Sequence, residues 1–392
     1  MKRLIAVLAV FLAASAVAEA GPIRKHARPV AGSYIVVLKD DVTRDDRDTL
    51  SRLPSVAEAA GEIVDLLGLG KRTRHFQYAL RGFAVQATPE QAEFIADDYR
   101  VAYVEEDGVM EAVATQTGAT WGIDRIDQRA LPLSGTYVYD RTGSGVHAYI
   151  IDTGILSTHT EFSGRIGNGY TAIADGRGTT DCNGHGTHVS GTVGGTRYGV
   201  AKAVRLHPVR VLNCSGSGTT SGVIAGLDWV AANRVRPAVA NMSLGGGASS
   251  ALDTAVNNAI RAGVTFAVAA GNSNANACNY SPARVAAALT VGATTRTDAR
   301  ASYSNFGACL DLFAPGSSIT SAWYTSTTAT NTISGTSMAS PHVAGAAALY
   351  LQLHTAAAPA EVSQAVVNQA TPGVVTSPGS GSPNRLLYSR LQ

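Results

Sequence analysis

The 392-residue sequence predicts an α/β protein in which a parallel sheet, covered by helices on both faces, follows a smaller α/β unit. The main observation is a set of mostly apolar runs that alternate with helix-like segments, at 146–151, 205–212, 238–243 and 263–270. Continuous apolar strands separated by helices are typical of a parallel sheet that is buried on both faces. In such sheets, functional residues lie at the carboxyl ends of the strands. Asp152, Ser243 and Asn272 each end or follow one of these runs.

The N-terminal part has its own alternating pattern, which is the second observation. We predict strand, helix, strand, helix and strand at 33–38, 56–69, 82–87, 89–97 and 101–105. The third observation is a change to polar and small residues at 111–119, which suits a linker or a cleavage point. We therefore divide the chain into residues 1–20, 21–113 and 114–392.

Residues 1–20 have the composition of a secretory signal peptide. Lys2 and Arg3 precede an apolar stretch, and Ala18 and Ala20 supply a small-x-small cleavage site. The alternative, a membrane anchor, fits less well because the apolar stretch is shorter than the roughly 20 residues that a spanning helix needs. No later segment is long and apolar enough to span. We expect a secreted protein with no membrane contact once the signal is removed.

The formal net charge is only +2, but the charge is divided unevenly. Residues 21–113 carry 12 basic and 16 acidic side chains, a net of −4, and residues 114–392 carry 17 and 12, a net of +5. The two parts therefore attract each other, although salt screens surface charges beyond about 8 Å. No basic run is interleaved with aromatic residues, so nothing indicates a nucleic-acid partner.

Four cysteines, Cys182, Cys214, Cys278 and Cys309, lie in the C-terminal part. An even number in an exported chain favours disulfides. Of the three possible pairings we favour Cys182 with Cys214 and Cys278 with Cys309, which close loops of roughly 30 residues, each worth about 3 to 4 kcal/mol in the chain-entropy model. A zinc site is the alternative, but the sequence has no C-x2-C pair.

Three short blocks carry side chains suited to nucleophilic catalysis. Asp152 lies in Asp-Thr-Gly at the end of an apolar run, His185 in Gly-His-Gly-Thr-His, and Ser337 in Gly-Thr-Ser-Met-Ala. A serine hydroxyl becomes a nucleophile at neutral pH only when a base takes its proton, and that base needs an acceptor that fixes its tautomer. The chain contains all three groups in the order Asp, His, Ser.

Each block also has a simpler interpretation. Asp and Gly commonly end strands as turn residues. His188 could be a second metal ligand beside His185, but the Glu of H-E-x-x-H is missing and no third ligand is evident, so we interpret it as a packed neighbour. Ser337 could be the N-cap of the alanine-rich helix expected after it. An α/β-hydrolase would need a second glycine after the serine and a different chain order.

The order Asp, His, Ser is that of subtilisin, and five blocks extend the match. They lie at 121–129, 181–188, 241–247, 269–272 and 334–342, and include Asp-Cys-Asn-Gly-His-Gly-Thr-His and Ser-Gly-Thr-Ser-Met-Ala-Ser-Pro-His. On these residues the chain from about 114 to 391 resembles the subtilisin-like serine proteases of the proteinase K branch, and most closely the aqualysin-type bacterial secreted enzymes. Residues 21–113 resemble the family's inhibitory propeptide. The resemblance implies a subtilisin-like parallel sheet preceded by a ferredoxin-like propeptide domain.

The resemblance further implies a serine endopeptidase that is made as a self-processing zymogen. Ser337 would attack the scissile carbonyl and form an acyl-enzyme, His185 would accept and return the proton, and Asp152 would orient His185. Asn272 would supply the side-chain donor of the oxyanion hole, with the Ser337 main-chain N–H as the second donor. The implied partners are protein and peptide substrates, and the chain's own propeptide as intramolecular chaperone and inhibitor. We expect a monomer.

Glycine-rich loops are predicted to bind the substrate as an added strand. By resemblance, the nonprimed subsites are lined by Gly216, Ser217, Gly218, Ser243, Leu244, Gly245, Gly246, Ala269 and Gly271. The small residues among them would leave an open, largely apolar S1 pocket. We therefore expect broad specificity with a preference for aromatic or large aliphatic P1 residues. The alternative is that these are ordinary glycine-rich loops.

Calcium is implied by the resemblance as a structural ion, and neither a catalytic metal nor an organic cofactor is implied. Asp311, with the carbonyls of Pro282 and Arg284, matches one family site. Oxygen ligands of this kind suit calcium.

A second family site is matched only in part, by Asp124, Asp127 and Gln128. Its further ligands are replaced by Ser134 and Thr136. The alternative for this site is that its acids cap helices or pair with Arg125 and Arg129.

Overall fold

A computed structural model describes residues 21–26, 29–44, 51–108 and 114–391. The predicted signal peptide, residues 1–20, and residues 109–113, which end the predicted propeptide, lie outside the described residues. Contacts divide the chain into two compact units, residues 1–111 and 112–392. None of the helices in the described ranges combines the length and apolar character that crossing a bilayer requires.

The N-terminal unit is a five-stranded sheet with two helices. Its elements in chain order are β1 (Ile23–Arg24), β2 (Pro29–Leu38), α1 (Val56–Ala60), β3 (Lys71–Phe76), β4 (Gly82–Gln86), α2 (Pro89–Ala96) and β5 (Val101–Gly108). The strand order is β1-β5-β2-β4-β3, in which β1 is parallel to β5 and the other neighbours are antiparallel. Without the short β1, this is the predicted ferredoxin-like β-α-β-β-α-β arrangement.

The helix predicted at 56–69 is wrong in its second half. α1 begins at a capping box formed by Ser55 and Glu58, but it passes into a π-helical turn at Gly61–Asp65 and goes no further. Gly68 has a φ of +64°, which a continuing helix does not allow. β3 was not predicted, because its residues Lys-Arg-Thr-Arg-His-Phe are mostly exposed at the sheet edge and show no apolar alternation.

The C-terminal unit carries the remaining elements. They are β6 (Ala114–Thr117), α3 (Trp121–Ile126), β7 (Thr136–Tyr139), β8 (His147–Asp152), β9 (Tyr170–Thr171), α4 (His185–Gly194), β10 (Arg205–Arg210), α5 (Thr220–Asn233), β11 (Ala238–Met242), β12 (Gly246–Gly247), α6 (Ser250–Arg261), β13 (Val264–Ala269), β14 (Tyr280–Ser281), β15 (Leu289–Thr294), β16 (Leu312–Pro315), β17 (Ile319–Ala322), β18 (Thr330–Ile333), α7 (Thr336–Leu353), α8 (Pro359–Gln369), β19 (Thr371–Pro372) and β20 (Arg385–Leu386).

A nine-stranded sheet in the order β19-β20-β16-β15-β13-β11-β8-β10-β9 forms the centre of this unit. All neighbours are parallel except β19 and β20. Successive side chains of β8 enter opposite cores: Ala148 and Ile150 lie on the side of α4 and α7, and Tyr149 and Ile151 on the side of α5 and α6. The sheet is therefore buried on both faces, which is why its strands read as continuous apolar runs.

Residues 114–117 are not part of a linker. They form β6, which pairs antiparallel with β7 so that Ala114 lies opposite Tyr139. The strand is held by backbone hydrogen bonds to β7, which small polar side chains allow as readily as a loop does. Composition alone therefore did not reveal the strand.

The four cysteines form two disulfides, in the pairing that the sequence favoured. Cys182 is bonded to Cys214 and Cys278 to Cys309. No cysteine is left free. The first disulfide lies beside the edge of the sheet at which the candidate residues gather.

Candidate active site

The carboxyl ends of three adjacent parallel strands bring the candidate residues together. Asp152 is the last residue of β8, Ser243 follows β11, and Asn272 lies three residues beyond β13. Because β8, β11 and β13 are neighbours in the sheet, these positions share one edge.

Asp152 and His185 form a direct pair. His185 is the first residue of α4, and its Nδ1 lies 2.7 and 2.9 Å from the two carboxylate oxygens of Asp152. Asp152 is fully buried and also accepts a hydrogen bond from the Thr153 N–H at 2.7 Å. An acceptor on Nδ1 keeps the proton there and leaves Nε2 to act as a base. Burial by itself lowers the pKa of His185, but the Asp152 carboxylate outweighs that effect and the net pKa is raised.

Asp181 organises the turn that leads into α4. Its Oδ1 accepts from the N–H groups of Asn183 and Gly184, both at 2.9 Å, and its Oδ2 accepts from the N–H and hydroxyl of Thr187. These bonds satisfy N–H groups that have no partner within the helix. Sequence reasoning assigned Asp181 no role, although it lies in one of the matched blocks.

Ser337 is the second residue of α7, and Gly335 occupies the N-cap. The N-cap interpretation of Ser337 is therefore wrong, and its side chain is left available. The Ser337 hydroxyl donates to the main-chain oxygen of Ser243 at 3.2 Å, which is its one hydrogen bond to a side chain or main chain among the described residues. In ligand-free enzymes the contact between a nucleophile and its base often tightens only when substrate binds.

Ser243 also fixes the main chain of Ser337. α7 contains Pro341, which has no N–H, so the helical bond that the Ser337 carbonyl would normally accept is absent. The Ser243 hydroxyl donates to that carbonyl at 2.7 Å instead. Asn241 and Ser340 complete this buried group, since Asn241 donates to Ser243 Oγ at 2.8 Å and accepts from Ser340 Oγ at 2.5 Å. Neither residue was singled out from the sequence.

The orientation of the Asn272 amide is fixed by Thr336. Asn272 Oδ1 accepts from the Thr336 N–H at 2.8 Å and from its hydroxyl at 2.9 Å. The Nδ2 end therefore points away from Thr336 and has no acceptor among the described residues, and it lies beside Gly335 at the start of α7. The helix N-terminus adds further N–H groups and positive potential at the same place.

Two adjoining cavities lie at this edge. One of about 270 Å³ is lined by Ser337, Asn272, Ala269 and Gly271, among others, and carries no charged side chain. The other, of about 580 Å³, is lined by His185 and by the segment that contains Gly216, Ser217 and Gly218. The two share the walls formed by Leu244, Gly245, Gly246 and Gly247. Every residue predicted to bind substrate lines one or both of them.

Among the residues proposed for the partly matched calcium site, Asp127 has an oxygen that is left without a partner. Its Oδ2 accepts from the Val138 N–H, while its Oδ1 is buried and has no hydrogen-bond partner within the described residues. Burial raises the pKa of Asp127 to about 6. Asp124 and Gln128 direct oxygens toward the same loop, where both accept from the Ser134 N–H.

The alternative that these acids pair with Arg125 and Arg129 is wrong. Arg125 instead forms a buried pair with Asp298, at 2.7 and 2.9 Å. Arg129 reaches the carbonyl of Gln369 and lies 3.7 Å from the ring centre of Tyr388. Neither arginine neutralises the two acids.

Asp311 is a partly buried carboxyl that directly precedes β16 and lies beside the start of β15. Its Oδ2 accepts from the Thr290 N–H at 2.8 Å, and burial raises its pKa to about 6. The Arg284 guanidinium is engaged elsewhere, donating to Asp253 at 2.6 Å. Asp311 thus has the properties of a carboxyl that a bound cation would stabilise.

The interpretation of His188 as a packed neighbour agrees with its surroundings. Its ring is fully buried, Nε2 lies 3.0 Å from the carbonyl of Ile319, and burial lowers its pKa to about 4. Within the described ranges, one group of three residues, Asp175, Cys182 and Cys214, has the spacing of a metal site. Its sulfurs are joined in a disulfide and Arg210 pairs with Asp175 at 2.8 Å, so this group holds no zinc.

Comparisons with known proteins agree with this arrangement. Residues 143–386 match the model of the subtilase family, and residues 33–112 match that of peptidase inhibitor I9. The extracellular serine proteinase of Thermus sp. (strain Rt41A) is 60% identical over 370 residues, which cover 92% of this chain and 90% of that protein. Alkaline serine exoprotease A of Vibrio alginolyticus is 57% identical over 320 residues, 80% of this chain and 59% of that protein. A crystal structure of a cold adapted subtilisin-like serine proteinase is 57% identical, covering 70% of this chain and 99% of its own, with a TM-score of 0.68.

Proposed function

We propose that Ser337, His185 and Asp152 form the catalytic triad of this chain. The chain belongs to the subtilase family and is a secreted serine endopeptidase with an I9 propeptide. The observation that best supports these roles is the contact between His185 Nδ1 and the buried Asp152 carboxylate, at 2.7 Å, at the sheet edge where Ser337 lies in the first turn of α7. A neutral imidazole held by a carboxylate is the base that a serine nucleophile requires.

Acylation uses the three groups in turn. His185 Nε2 takes the proton of the Ser337 hydroxyl while Oγ bonds to the scissile carbonyl carbon, and Asp152 stabilises the imidazolium that results. The carbonyl oxygen becomes an oxyanion, which Asn272 Nδ2 and the Ser337 main-chain N–H stabilise. His185 then protonates the leaving amine as the peptide bond breaks. Water, deprotonated by the same imidazole, hydrolyses the acyl-enzyme and restores Ser337.

We propose that the cavity of about 270 Å³ is the S1 pocket. Most of its wall residues are glycine, alanine or serine, and none of its lining side chains is charged, so nothing in it favours a lysine or arginine substrate side chain. Burial of apolar area favours aromatic or large aliphatic P1 residues. The segment 216–218 and residues 243–246 would pair with the substrate backbone as added strands, which favours broad specificity.

Residues 21–113 would act as chaperone and inhibitor of the enzyme and be released by self-cleavage near Val113. The match of residues 33–112 to peptidase inhibitor I9 supports this role. A propeptide of this kind would hold back proteolysis until it is released.

We propose structural calcium at Asp311, with the carbonyls of Pro282 and Arg284, and at Asp124, Asp127 and Gln128. The raised pKa of Asp311 and the unpartnered buried oxygen of Asp127 support the assignment, because desolvation of a carboxylate is destabilising unless a cation or hydrogen bonds compensate it. A bound calcium would offset that cost and take no part in the chemistry.

The experiment compares secretion of the native chain, Ser337→Ala and the matched control Ser326→Ala, whose serine is exposed. We expect the native chain and Ser326→Ala to lose residues up to about 113 and to degrade casein, and Ser337→Ala to keep its propeptide and remain inactive. Processing and casein cleavage by Ser337→Ala would overturn the assignment.

A further inference from the structure

Asn183 joins the catalytic turn to the substrate-binding segment. Its Oδ1 accepts from the His185 N–H at 3.2 Å, and its Nδ2 donates to the Cys214 carbonyl at 3.0 Å. Gly216 packs closely enough that a Cβ there would lie 3.5 Å from Nδ2. A single amide therefore sets the position of the start of α4 relative to one wall of the substrate cavity.

The residue after it cannot be other than glycine. Gly184 has a φ of +109°, which L side chains rarely adopt. A Cβ at Gly184 would also lie 2.6 to 2.7 Å from ring atoms of Trp323. The geometry beside His185 thus requires glycine at position 184 and engages both ends of the Asn183 amide.

Asn-Gly is a chemically labile sequence, because glycine offers no side chain to hinder attack by its own nitrogen. The Gly184 nitrogen loses its proton to solvent base and bonds to Asn183 Cγ, the bond to the amide nitrogen breaks, and ammonia leaves. Water then opens the cyclic imide at either carbonyl, which gives aspartate or isoaspartate. The net reaction consumes one water and releases one ammonia.

We propose that deamidation of Asn183 is a built-in route by which this enzyme inactivates itself chemically. Its effect on activity rests on the function proposed above, whereas the modification itself does not. The product replaces the Nδ2 donor with a carboxylate oxygen that faces the Cys214 carbonyl, and isoaspartate also lengthens the main chain just before His185. It further adds a negative charge beside His185, which already faces Asp152 and lies near Asp181.

The folded chain slows this reaction. The Gly184 N–H is held by Asp181 at 2.9 Å, and both ends of the Asn183 amide are engaged. Attack on Cγ requires these bonds to open, so the rate follows local unfolding of the turn.

The chain contains its own comparison in the second Asn-Gly pair, Asn168 and Gly169. The Asn168 side chain is exposed and has no hydrogen bond within the described residues. Only the main-chain oxygen of Asn168 has a hydrogen bond to a side chain among the described residues, which it accepts from His207 at 2.9 Å. Asn168 should therefore deamidate faster than Asn183 and without loss of activity.

The test incubates the mature enzyme in calcium at alkaline pH and follows intact mass, peptide maps of both sites, and the fraction of chains that a phosphonylating inhibitor labels. Only chains of full-length mass are counted, so that loss of labelling through self-digestion does not enter the result. We expect Asn168 to deamidate first, with no change in the fraction of chains that the inhibitor labels. That fraction should then fall in proportion to the fraction of chains deamidated at Asn183. Asn183→Ser cannot form the cyclic imide and should lose its inhibitor labelling more slowly than the native enzyme. Asn183→Asp should show reduced labelling before any incubation. Asn168→Asp should be labelled as fully as the native enzyme.

Intact chains that lose reactivity while Asn183 remains an amide would overturn the inference, as would full reactivity after conversion. Should Asn183→Ser fail to fold, the native chain alone still gives this answer from its peptide map. Fresh enzyme that is never labelled at Ser337 would count against the proposed function instead, because conversion at Asn183 is read by mass alone.

Discussion

At the scale of single residues, Asp152 illustrates how burial and pairing act against each other. A fully buried carboxylate is costly unless hydrogen bonds compensate it. Asp152 receives them from the Thr153 N–H and from His185 Nδ1. The same contact raises the pKa of His185 against the effect of burial, so one pair sets both the tautomer and the protonation range of the base.

This pair gives a prediction for the pH dependence of activity. The reaction needs neutral His185, so kcat/KM falls as the pH drops through its raised pKa. Asp152→Asn removes the carboxylate and leaves burial, which lowers the pKa, so the acid limb should move to lower pH while kcat falls about 10⁴-fold. The measurement is kcat/KM against pH, with Asp228→Asn, an exposed acid on α5, as control. An acid limb that stays in place or moves to higher pH would contradict the assigned roles.

At the scale of elements, the proposed S1 pocket can be tested at a wall position that has room for a side chain. A Cβ at Gly246 would have no heavy atom within 4 Å, and its φ is not in the left-handed region. Gly246→Val should therefore fold normally and narrow the cavity. We expect the ratio of kcat/KM for P1 Phe over P1 Ala substrates to fall about 10-fold or more.

The control for this prediction is the unfolding temperature of Gly246→Val, which should match that of the native enzyme. An unchanged ratio with normal stability would show that the cavity of about 270 Å³ does not receive the P1 side chain.

The first turn of α7 gives a prediction about stability. Because Pro341 cannot donate to the Ser337 carbonyl, the Ser243 hydroxyl fills that place at 2.7 Å. Ser243→Ala leaves the carbonyl without its donor and should lower the free energy of unfolding by about 1 to 3 kcal/mol. Adding Pro341→Ala restores a helical N–H, so the double variant should recover part of the loss. A double-mutant cycle of urea unfolding on inhibitor-blocked enzyme measures the coupling, and strictly additive losses would refute it.

Much of the fold could be predicted from the sequence, but not all of it, and the elements show why. The runs that became β8, β10, β11 and β13 are buried on both faces, so their apolar character alone revealed them. β15 and β16 were not predicted, because the first contains Gly292 and Thr residues and the second is four residues long and ends in proline.

The site divides in the same way. Asp152, His185, Ser337 and Asn272 lie in short blocks whose chemistry can be read locally, and the structure brings them to one edge of the sheet. The Asn241–Ser243–Ser340 group was missed because the hydrogen bonds that join Ser340 to Asn241 and Ser243 link residues nearly 100 positions apart, which no local pattern contains.

At the scale of the whole molecule, buried histidines make the fold sensitive to acid. Burial lowers the pKa of His188, His207 and His342 to about 4, below the ordinary value of 6.5. Between these values each of these histidines binds more protons in the unfolded chain than in the folded one, so the stability that they contribute is lost as the pH falls from about 6.5 toward 4. Asp127 and Asp311, whose pKa values are raised to about 6, act in the opposite direction below that pH.

This sign can be measured as the slope of unfolding free energy against pH, on enzyme blocked by a phosphonylating inhibitor. His342 donates from Nδ1 to the Met338 carbonyl at 2.8 Å, a bond that a glutamine amide can replace. His342→Gln should flatten the slope in this window. A slope that is the same in His342→Gln as in the native enzyme, or that becomes steeper, would contradict the account.

The central claim is that Ser337 is the nucleophile and that His185 activates it. The most direct measurement maps the adduct of a phosphonylating inhibitor by mass analysis in the native enzyme, in His185→Ala and in Ser326→Ala. We predict one adduct, on Ser337, in the native enzyme and in Ser326→Ala, and no labelling at a comparable rate in His185→Ala. An adduct on another residue, or casein cleavage by fully active enzyme that carries no adduct on Ser337, would contradict the claim.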